Sequence, residues 1–449
     1  MIMKKRYVIL LTAAVLLSLS SYAQSFRSGY FLDNYVFGYR INPAQVNDRS
    51  SFGLLIDNID LQNASSIGVS SLLYPNPDGS NTLVTGLNRA ISTETFLSRI
   101  KNHNFITADE SINVLSIAIA NGRSMQTVEL NARASATASI PKSVFALLKS
   151  GKSGTYDLNG LYADASVLAD LCYGYSTYIG DQLSVGGRFH LLVGLANVNL
   201  RSKGSSITID DKAIVAGGNM ELNASGMIGF RTDGEGDVDI EEIYFDPNSF
   251  SNFGAALDLG AEYKSDFGLD AMVSITDLGA IRWENKLSAR ASGAVEFNGL
   301  FGEGGTISTD MEDLLDLSNA LDYQIVNGHR KLLRMIPCNI AAGARYHMPF
   351  WSGLSVGLLN TVHIARASSW YEMRLGATVT PSRILSLSGN LGLGTIGPTW
   401  GTALNLNLGP FNLLAGVDSF LGPLGKYDSV PFPVNSFVGN VHAGLVLTF

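Results

Sequence analysis

Apolar and polar side chains alternate, in stretches of about ten residues, again and again along this chain. In residues 161–176 the odd positions are Leu, Ala, Val and Tyr, whereas most of the even positions are small or polar. Successive side chains of a strand point to opposite faces of a sheet, so this period of two predicts strands with one apolar face. The same alternation recurs at 183–195, 255–263, 267–275, 371–379, 385–393 and 400–408.

The length and composition of these stretches indicate a membrane environment. About ten residues is the length that a tilted strand needs to cross a bilayer. The less apolar face is mainly Gly, Ser, Thr and Asn, where a soluble sandwich would expose Lys and Glu. Charged residues make up 16% of the chain, below the roughly 25% of soluble domains. The sequence therefore predicts an all-β fold, a transmembrane antiparallel β-barrel, with a soluble sandwich or solenoid as the alternative.

Connection lengths give the number of strands. Short links at 121–124, 181–182, 264–266, 347–352, 380–383 and 409–410 alternate with longer segments at 141–160, 201–253, 276–337, 364–369, 394–399 and 420–437. Outer-membrane barrels have short periplasmic turns and longer extracellular loops. Eleven strands from residue 161, with three near 51–59, 111–120 and 125–139, make fourteen. If "SSIGVSSLLY" and "RWENKLSARASG" are also strands, the barrel has sixteen.

Both ends of the chain carry export features. Residues 1–23 have a basic start and an apolar core typical of a signal peptide, which predicts cleavage between Ala23 and Gln24. A retained anchor is the alternative. Residues 24–50 are aromatic and irregular, so we expect a hatch inside the lumen or a periplasmic docking segment, followed by the barrel at 51–449. We expect Phe449 to close the sheet and to signal to the barrel-assembly machinery.

Two short stretches resemble a known family. "YRINPA", which contains Asn42, Pro43 and Ala44, looks like the Asn-Pro-Ala signature of a Bacteroidota outer-membrane barrel family, and "VSITDLGAIRW" (273–283) looks like its Ser-Ile-x-Asp-Leu-Gly stretch. These barrels are of unknown function and are similar to the long-chain fatty-acid transporter superfamily. The resemblance implies a fourteen-stranded barrel with an N-terminal hatch. Other relatives act in type IX secretion as barrels that carry or anchor partner proteins.

The alternation also predicts which polar side chains face the lumen. Buried charges need partners, so these residues either pair across strands around the hatch or line a solute path. The lumen-facing candidates are Asp164, Asp170, Arg188, His190, Asp258, Glu262, Asp270, Arg345, His363, Glu372, Arg374 and Asp418. No G-x-S-x-G or H-E-x-x-H motif occurs. We therefore predict no enzyme activity, no metal and no cofactor.

Two long outer segments and the two cysteines complete the sequence features. The acidic stretch "RTDGEGDVDIEE" (231–242) does not fit a helix-loop-helix calcium site; a solvated loop is the default interpretation, with loose cation binding as the alternative. Residues 308–326 predict an amphipathic helix packed on the barrel mouth, or against a partner. Cys172 and Cys338 are read as isolated wall residues rather than a disulfide.

These features together predict a protein of the outer membrane in contact with its lipid. The net charge of −8 argues against nucleic-acid binding. The leading hypothesis, which depends mainly on the family resemblance, is passage of a small hydrophobic solute. The alternative is a non-transporting barrel that is a subunit or anchor of a surface secretion or assembly complex.

Overall fold

The structure is a computed structural model. It describes residues 26–77, 83–210, 214–232, 238–246, 251–297, 324–325, 331–366, 369–395, 397–420, 424–427, 430–433 and 437–449. The predicted signal peptide with its Ala23–Gln24 cleavage site lies outside these residues. The predicted helix at 308–326 also falls outside them, except for the extended pair 324–325, and so does the centre of the acidic stretch, 233–237.

Fourteen antiparallel strands form a closed barrel, because β1 pairs with β2 on one side and with β14 on the other. Each other strand pairs with its neighbours in sequence. The strands are β1 Ser51–Ser65, β2 His103–Ala120, β3 Ser124–Pro141, β4 Tyr162–Ile179, β5 Leu183–Ile209, β6 Asn252–Lys264, β7 Leu269–Phe297, β8 Cys338–His347, β9 Leu354–Ile364, β10 Trp370–Ser382, β11 Leu385–Gly394, β12 Gly397–Leu408, β13 Phe411–Phe420 and β14 Phe437–Thr448. The prediction of a fourteen-stranded barrel is confirmed.

The sixteen-stranded alternative is wrong. Residues 282–293 belong to β7 and lengthen it, and residues 65–74 leave the wall after β1. The remaining elements are 3-10 helices Arg27–Phe31 and Gly38–Arg40, α-helices Val69–Leu72, Thr93–Ser98 and Lys142–Ser150, and short strands Leu73–Pro75, Leu83–Thr85, Gly154–Asp157, Ile214–Gly226, Ile228–Thr232, Val238–Phe245, Gln324–Ile325, Lys331–Met335, Leu424–Tyr427 and Val430–Pro433. In the described part of the chain, no helix has the length and apolar character needed to span a membrane.

Several strands run further than the alternation predicts, and bulges explain the difference. The pairing of β4 with β5 shifts register after Val167, and the pairing of β6 with β7 shifts after Leu257. A bulge inserts one residue and exchanges the two faces, so a strict period of two ends there although the strand continues. Residues 201–209 and 276–297, predicted to be loop, are therefore strand. Ile214–Gly226 pairs with both β5 and β7 and extends the wall further.

The outer surface of the barrel is apolar and ringed by aromatic side chains. We call the end that carries the short turns, Ser51 and Phe449 the short-turn end, and the opposite end the long-loop end. Exposed aromatic residues at the short-turn end are Tyr173, Tyr175, Tyr263, Phe267, Phe350, Trp351, Phe411 and Phe449; Phe253 and Tyr371 are exposed near the long-loop end. Aromatic girdles at the two edges of an apolar band are typical of transmembrane barrels.

Candidate functional site

Residues 26–50, the hatch, fill the lumen at the short-turn end. Their apolar side chains are almost completely buried against inward-facing residues of the wall such as Met125, Met272 and Leu359. The buried apolar residues of the hatch are Phe26, Phe31, Leu32, Tyr35, Val36, Phe37, Tyr39, Ile41 and Val46. Fully burying a side chain of this kind stabilises the folded state by about 1.5–3 kcal/mol. The hatch is therefore a packed plug rather than a loose tail.

The Asn-Pro-Ala signature packs against two glycines on the inner face of the barrel wall. Gly186 of β5 and Gly260 of β6 are cross-strand partners, and both face the lumen. A Cβ added to Gly186 would overlap the carbonyl group of Pro43, and one added to Gly260 would overlap the side chain of Asn42. The Oδ1 atom of Asn42 also accepts a hydrogen bond from the backbone N–H of Ala44 at 3.1 Å. The structure thus gives this signature a docking role.

The start of the hatch is anchored to β10 and β13 by buried charges. Asp418 accepts a hydrogen bond from the backbone N–H of Arg27 at 3.1 Å and another from the hydroxyl of Ser28. Arg374 donates to Asp418 at 2.6 Å and to Glu372 at 2.7 Å. The Arg27 guanidinium pairs with Glu372. Since all these charges are buried, each depends on its partners.

The end of the hatch is anchored by Glu129 of β3. This fully buried carboxylate accepts hydrogen bonds from the Tyr39 hydroxyl at 2.8 Å and from Nε of Arg40 at 2.9 Å. It also pairs with Arg188 of the wall. Burial, with the nearby Glu129 charge, raises the pKa of Tyr39 well above its ordinary value, so the phenol stays protonated as a donor. Glu129 therefore links the hatch to the barrel wall.

A cavity of about 680 Å³ lies between the hatch and the long-loop end. Arg40 is the hatch residue that lines it, and its remaining lining comes from the wall and from residues 333–337 and 364–366. One side of the cavity is apolar and includes Leu168, Ile281, Trp283 and Ile336, which belong to one packed cluster. Its floor is charged. The cavity is thus amphipathic, and its volume is within the usual range of ligand pockets.

The charged floor is one connected network of eight side chains. Arg188 joins Glu129 to Asp258 at 3.2 Å. His190 bridges Asp258 and Asp170 at 3.0 and 2.9 Å. We use the name charged floor for the network of Arg40, Glu129, Arg133, Asp170, Arg188, His190, Asp258 and Asp277. It continues without a break from the cavity to the hatch through Arg40.

The Ser-Ile-x-Asp-Leu-Gly stretch is the bulge of β7 that aims Asp277 into the cavity. Asp277 has a φ of 60°, in the left-handed region that Asp tolerates better than most residues. Its backbone N–H donates to Asp258 at 2.6 Å, and its carboxylate pairs with Arg133 at 2.7 Å. A Cβ at Gly279 would overlap Ala256 of the neighbouring strand. The motif therefore has a structural role, which is to add the carboxylate of Asp277 to the charged floor.

The structure places the twelve lumen-facing candidates in three groups on the inner face. Asp164, Asp170, Arg188, His190, Asp258 and His363 line the cavity. Glu372, Arg374 and Asp418 anchor the start of the hatch, and Arg345 pairs with Asp33 of the hatch at 3.1 Å. The other two lie near the short-turn end, where Asp270 pairs with Arg345 and His347, and Glu262 with Lys264.

The wall cysteines and the other inward histidines have contacts of their own. Cys172 and Cys338 are both free thiols. His363 stacks on Trp370 and His442 stacks on Phe26, so both rings pack against aromatic neighbours. Phe449 is exposed, and its backbone forms two hydrogen bonds of 3.0 Å with Ser50.

Several residues of the site are not among the twelve lumen-facing candidates. Glu129 and Arg133 lie on the inner face of a predicted strand, so the alternation of side chains along that strand would have placed them among the lumen-facing candidates. Asp277, Trp283 and Arg334 lie in the segment 276–337, which the pattern assigns to a loop because the bulge interrupts it. For Asp277 and Trp283 the Ser-Ile-x-Asp-Leu-Gly stretch and its continuation to 283 were the available signal.

Comparison with solved structures finds barrels of the same general kind. The toluene transporter TbuX of Ralstonia pickettii has 8% identity and a TM-score of 0.43, with 93% of each chain covered. The toluene transporter TodX of Pseudomonas putida has 9% identity and a TM-score of 0.43, covering 92% of this chain and 93% of its own. A FadL homologue of Pseudomonas aeruginosa has 11% identity and a TM-score of 0.40, covering 94% and 95%. At this distance no ligand carries over to the present chain.

Comparison by sequence relates the chain to a protein family but to no individual curated protein. No curated protein matches the chain at a significant level. A family profile, described as "Family of unknown function (DUF5723)", matches residues 43–418. This match runs from the docking signature of the hatch to the Asp418 anchor in β13 and includes most of the barrel. The chain therefore belongs to this family of unknown function, DUF5723.

Proposed function

We propose that this protein is an outer-membrane channel that passes a small solute with an apolar body, and that the hatch closes the channel. The observation that carries the proposal is the amphipathic cavity directly above a packed hatch. A barrel that served only as a scaffold would have no need of a cavity of about 680 Å³ next to a removable plug.

The orientation follows from the connections of the barrel. Short turns face the periplasm in outer-membrane barrels, so the short-turn end is assigned to the periplasm and the cavity to the outer side. The apolar bands and aromatic girdles then lie in lipid. Residues 24–50 are assigned as the hatch domain, 51–449 as the barrel, and Phe449 as the signal to the assembly machinery.

The lining of the cavity favours a solute that is apolar over most of its surface. Trp283, Ile281 and Leu168 line the apolar side of the cavity. An apolar body gains about 25 cal/mol for each Å² that it buries against such a wall. The charged floor offers donors and acceptors for one polar group. A purely hydrophobic solute would leave that floor unused but would still fit the apolar side.

Passage requires the hatch to move. The hatch fills the lumen below the cavity, and its anchors at Asp418 and Glu129 are non-covalent. Because the charged floor reaches the hatch through Arg40 and Glu129, a solute that competes for the charged floor also weakens the second anchor. Both anchors have to release before the hatch can leave the lumen.

The test locks the hatch with a reversible disulfide. Asn390 donates to the hydroxyl of Ser28 at 2.7 Å, so the pair Ser28→Cys and Asn390→Cys places one thiol on the hatch and one on the facing wall, in a background with Cys172→Ser and Cys338→Ser. The assay is the entry of N-phenyl-1-naphthylamine, a hydrophobic dye, into intact Gram-negative cells that produce the protein. The unlocked protein is expected to speed dye entry above the vector control. Oxidation is expected to return entry to the vector rate, and reduction to restore it.

The two single-cysteine variants serve as matched controls, since neither forms the internal disulfide. Dye entry at the vector rate in cells with folded, unlocked protein would overturn the hydrophobic-solute proposal. Dye entry that persists with the disulfide fully formed would show that the hatch does not close the path.

A second function, subunit or anchor of a surface secretion or assembly complex, is favoured by one observation. Leu333 and Met335, on the wall extension at the long-loop end, are 73% and 69% exposed, and Phe245 in the same region is 68% exposed. Exposed apolar side chains beyond the membrane-spanning part of a strand suit a protein contact. Purification in mild detergent from the native membrane tests this function: a stoichiometric partner lost in Phe245→Glu, which lies outside the cavity lining, would support it.

A further inference from the structure

We infer that a first-row divalent metal ion, of the class of Zn²⁺, binds to His190, Asp258 and Asp277 on the floor of the cavity. One ligand atom from each of these three side chains lies within 4.8 Å of the others. All three line the cavity, so the ion has a path to the site and open coordination positions that face the cavity. The inference is independent of which solute, if any, crosses the barrel.

The donor atoms suit this class of metal. Nε2 of His190 lies 3.0 Å from Oδ2 of Asp258, close to the spacing of two ligands on one ion. Zn²⁺ binds imidazole nitrogen at about 2.0–2.1 Å and carboxylate oxygen at about 2.0–2.2 Å. The Sγ atom of Cys172 is 3.6 Å from the same nitrogen, so a soft ligand is within reach. One nitrogen with two carboxylates favours a borderline ion over Ca²⁺ or Mg²⁺, which prefer oxygen alone.

The other ring nitrogen is held as in known metal sites. Nδ1 of His190 lies 2.9 Å from a carboxylate oxygen of Asp170. A histidine that binds a metal usually donates its second N–H to a carboxylate or carbonyl, which fixes the ring and increases the basicity of the free nitrogen. Here this contact directs Nε2 toward Asp258 and the cavity.

The backbone is distorted at the position that delivers the third ligand. Asp277 stands at a φ of 60° in the bulge of β7, and the bulge turns its carboxylate into the lumen. A strand could continue there without this conformation. Residues held in sparsely populated backbone regions concentrate at functional sites. The Asp258 carboxylate stabilises the bulge by accepting the Asp277 N–H, so two of the three ligands are positioned together.

The charge of the site accommodates one added cation when the His190 imidazole is neutral. With a neutral imidazole, the charged floor has four carboxylates and three guanidiniums. The whole cavity is lined by eight carboxylates and five arginines, which attracts cations into it. An ion between Nε2 of His190 and Asp258 supplies this positive charge. The competing occupant is a proton, which would make His190 an imidazolium between Asp170 and Asp258.

The arginines next to the site do not exclude the ion. Arg188 donates to Asp258 at 3.2 Å, and Arg133 donates to Asp277 at 2.7 Å. An ionised carboxylate has about four acceptor positions, so one group can serve a guanidinium and a metal ion together. The metal takes the position between Nε2 and Oδ2 and leaves both arginine pairs in place.

The test is metal binding by the full-length protein, purified without a histidine tag and stripped with EDTA. Titration with Co²⁺ is followed by its visible absorption, and Zn²⁺ is titrated by calorimetry and by displacement of Co²⁺. We expect one ion per chain. His190→Ala and Asp277→Asn should each weaken Zn²⁺ binding by at least about 100-fold. Asp170→Asn should weaken it by roughly 10–100-fold, the usual effect of losing a residue that only orients a ligand.

His347→Ala is the matched control, because His347 pairs with Asp270 at 2.9 Å outside the cavity and should leave Zn²⁺ binding unchanged. Retention of the heat-modifiable gel mobility of a folded barrel shows that each variant is folded. Equal Zn²⁺ affinity in the wild type and His190→Ala would overturn the inference by placing the ion elsewhere. Absence of binding by the folded wild type would also overturn it.

Discussion

The substitution Gly186→Ala tests whether the Asn-Pro-Ala signature holds the hatch in the barrel. The added methyl group would lie 2.6 Å from the carbonyl carbon of Pro43, about 0.8 Å closer than the 3.4 Å at which ordinary contact begins. The Pro43 atoms in its way belong to the backbone, so no side-chain rotation relieves this overlap, and Cβ of Ser176 in β4 lies 2.9 Å away. Since Gly186 does not have a positive φ, Ala is compatible with the strand itself.

Most of the expected cost falls on the hatch, because the atoms closest to the added methyl group belong to Pro43. Overpacking a tightly packed interior costs about 1–3 kcal/mol. Moving Pro43 away from the wall also strains two neighbouring hydrogen bonds, from Ser274 to the Ile41 carbonyl at 2.7 Å and from Ser176 to the Gln45 carbonyl at 3.0 Å. A loss of 1–3 kcal/mol increases the undocked fraction of the hatch roughly 5- to 150-fold, since 1.4 kcal/mol is a factor of ten.

Hydrogen exchange measured by mass spectrometry reports this fraction. The backbone N–H groups of Ile41 and Asn42 are bonded to the Gly38 carbonyl at 2.9 Å, so they exchange when the hatch opens. Their exchange should accelerate by the factor above, while the barrel strands keep their protection. Gly187→Ala is the matched control, because its methyl group would point to the other face and meet Asp258 and Leu259 at 3.3 and 3.4 Å. Equal exchange of the hatch in both variants would refute the docking role of the signature.

Two further substitutions test the buried charges and the bulge. Glu129→Gln removes the anion shared by Arg40 and Arg188, and breaking a buried pair of this kind should cost about 3–5 kcal/mol in urea unfolding. Asp181→Ala, which breaks an exposed pair, should cost less than about 1 kcal/mol, and a similar cost for both would contradict the proposed anchor. Asp277→Val should lower the free energy of unfolding by about 1–2 kcal/mol more than Asp277→Asn, because a branched side chain is strained at a φ of 60°. Equal stability of these two variants would show that the bulge relaxes without strain.

The sequence by itself determined the class of fold and the sidedness of each strand. Alternation is a local property, because each side chain of a strand faces opposite to the next whatever the rest of the chain does. The stretch from Leu161 to Ser176 therefore revealed its lumen face, including Asp164 and Asp170, and counting such stretches gave fourteen strands. The same alternation predicted that β7 ends near Ile275, because a bulge exchanges the two faces and interrupts the period of two.

Only the tertiary structure decided which inward residues meet. Glu129 contacts Tyr39, 90 residues earlier in the chain, and Ser28 contacts Asp418, 390 residues later. No local pattern encodes such a distance, because closing the barrel and folding the hatch into it set both contacts at once. The cavity exists for the same reason: it is the space left when the hatch fills one half of the lumen, and its charged floor combines side chains from β3 to β7 with one from the hatch.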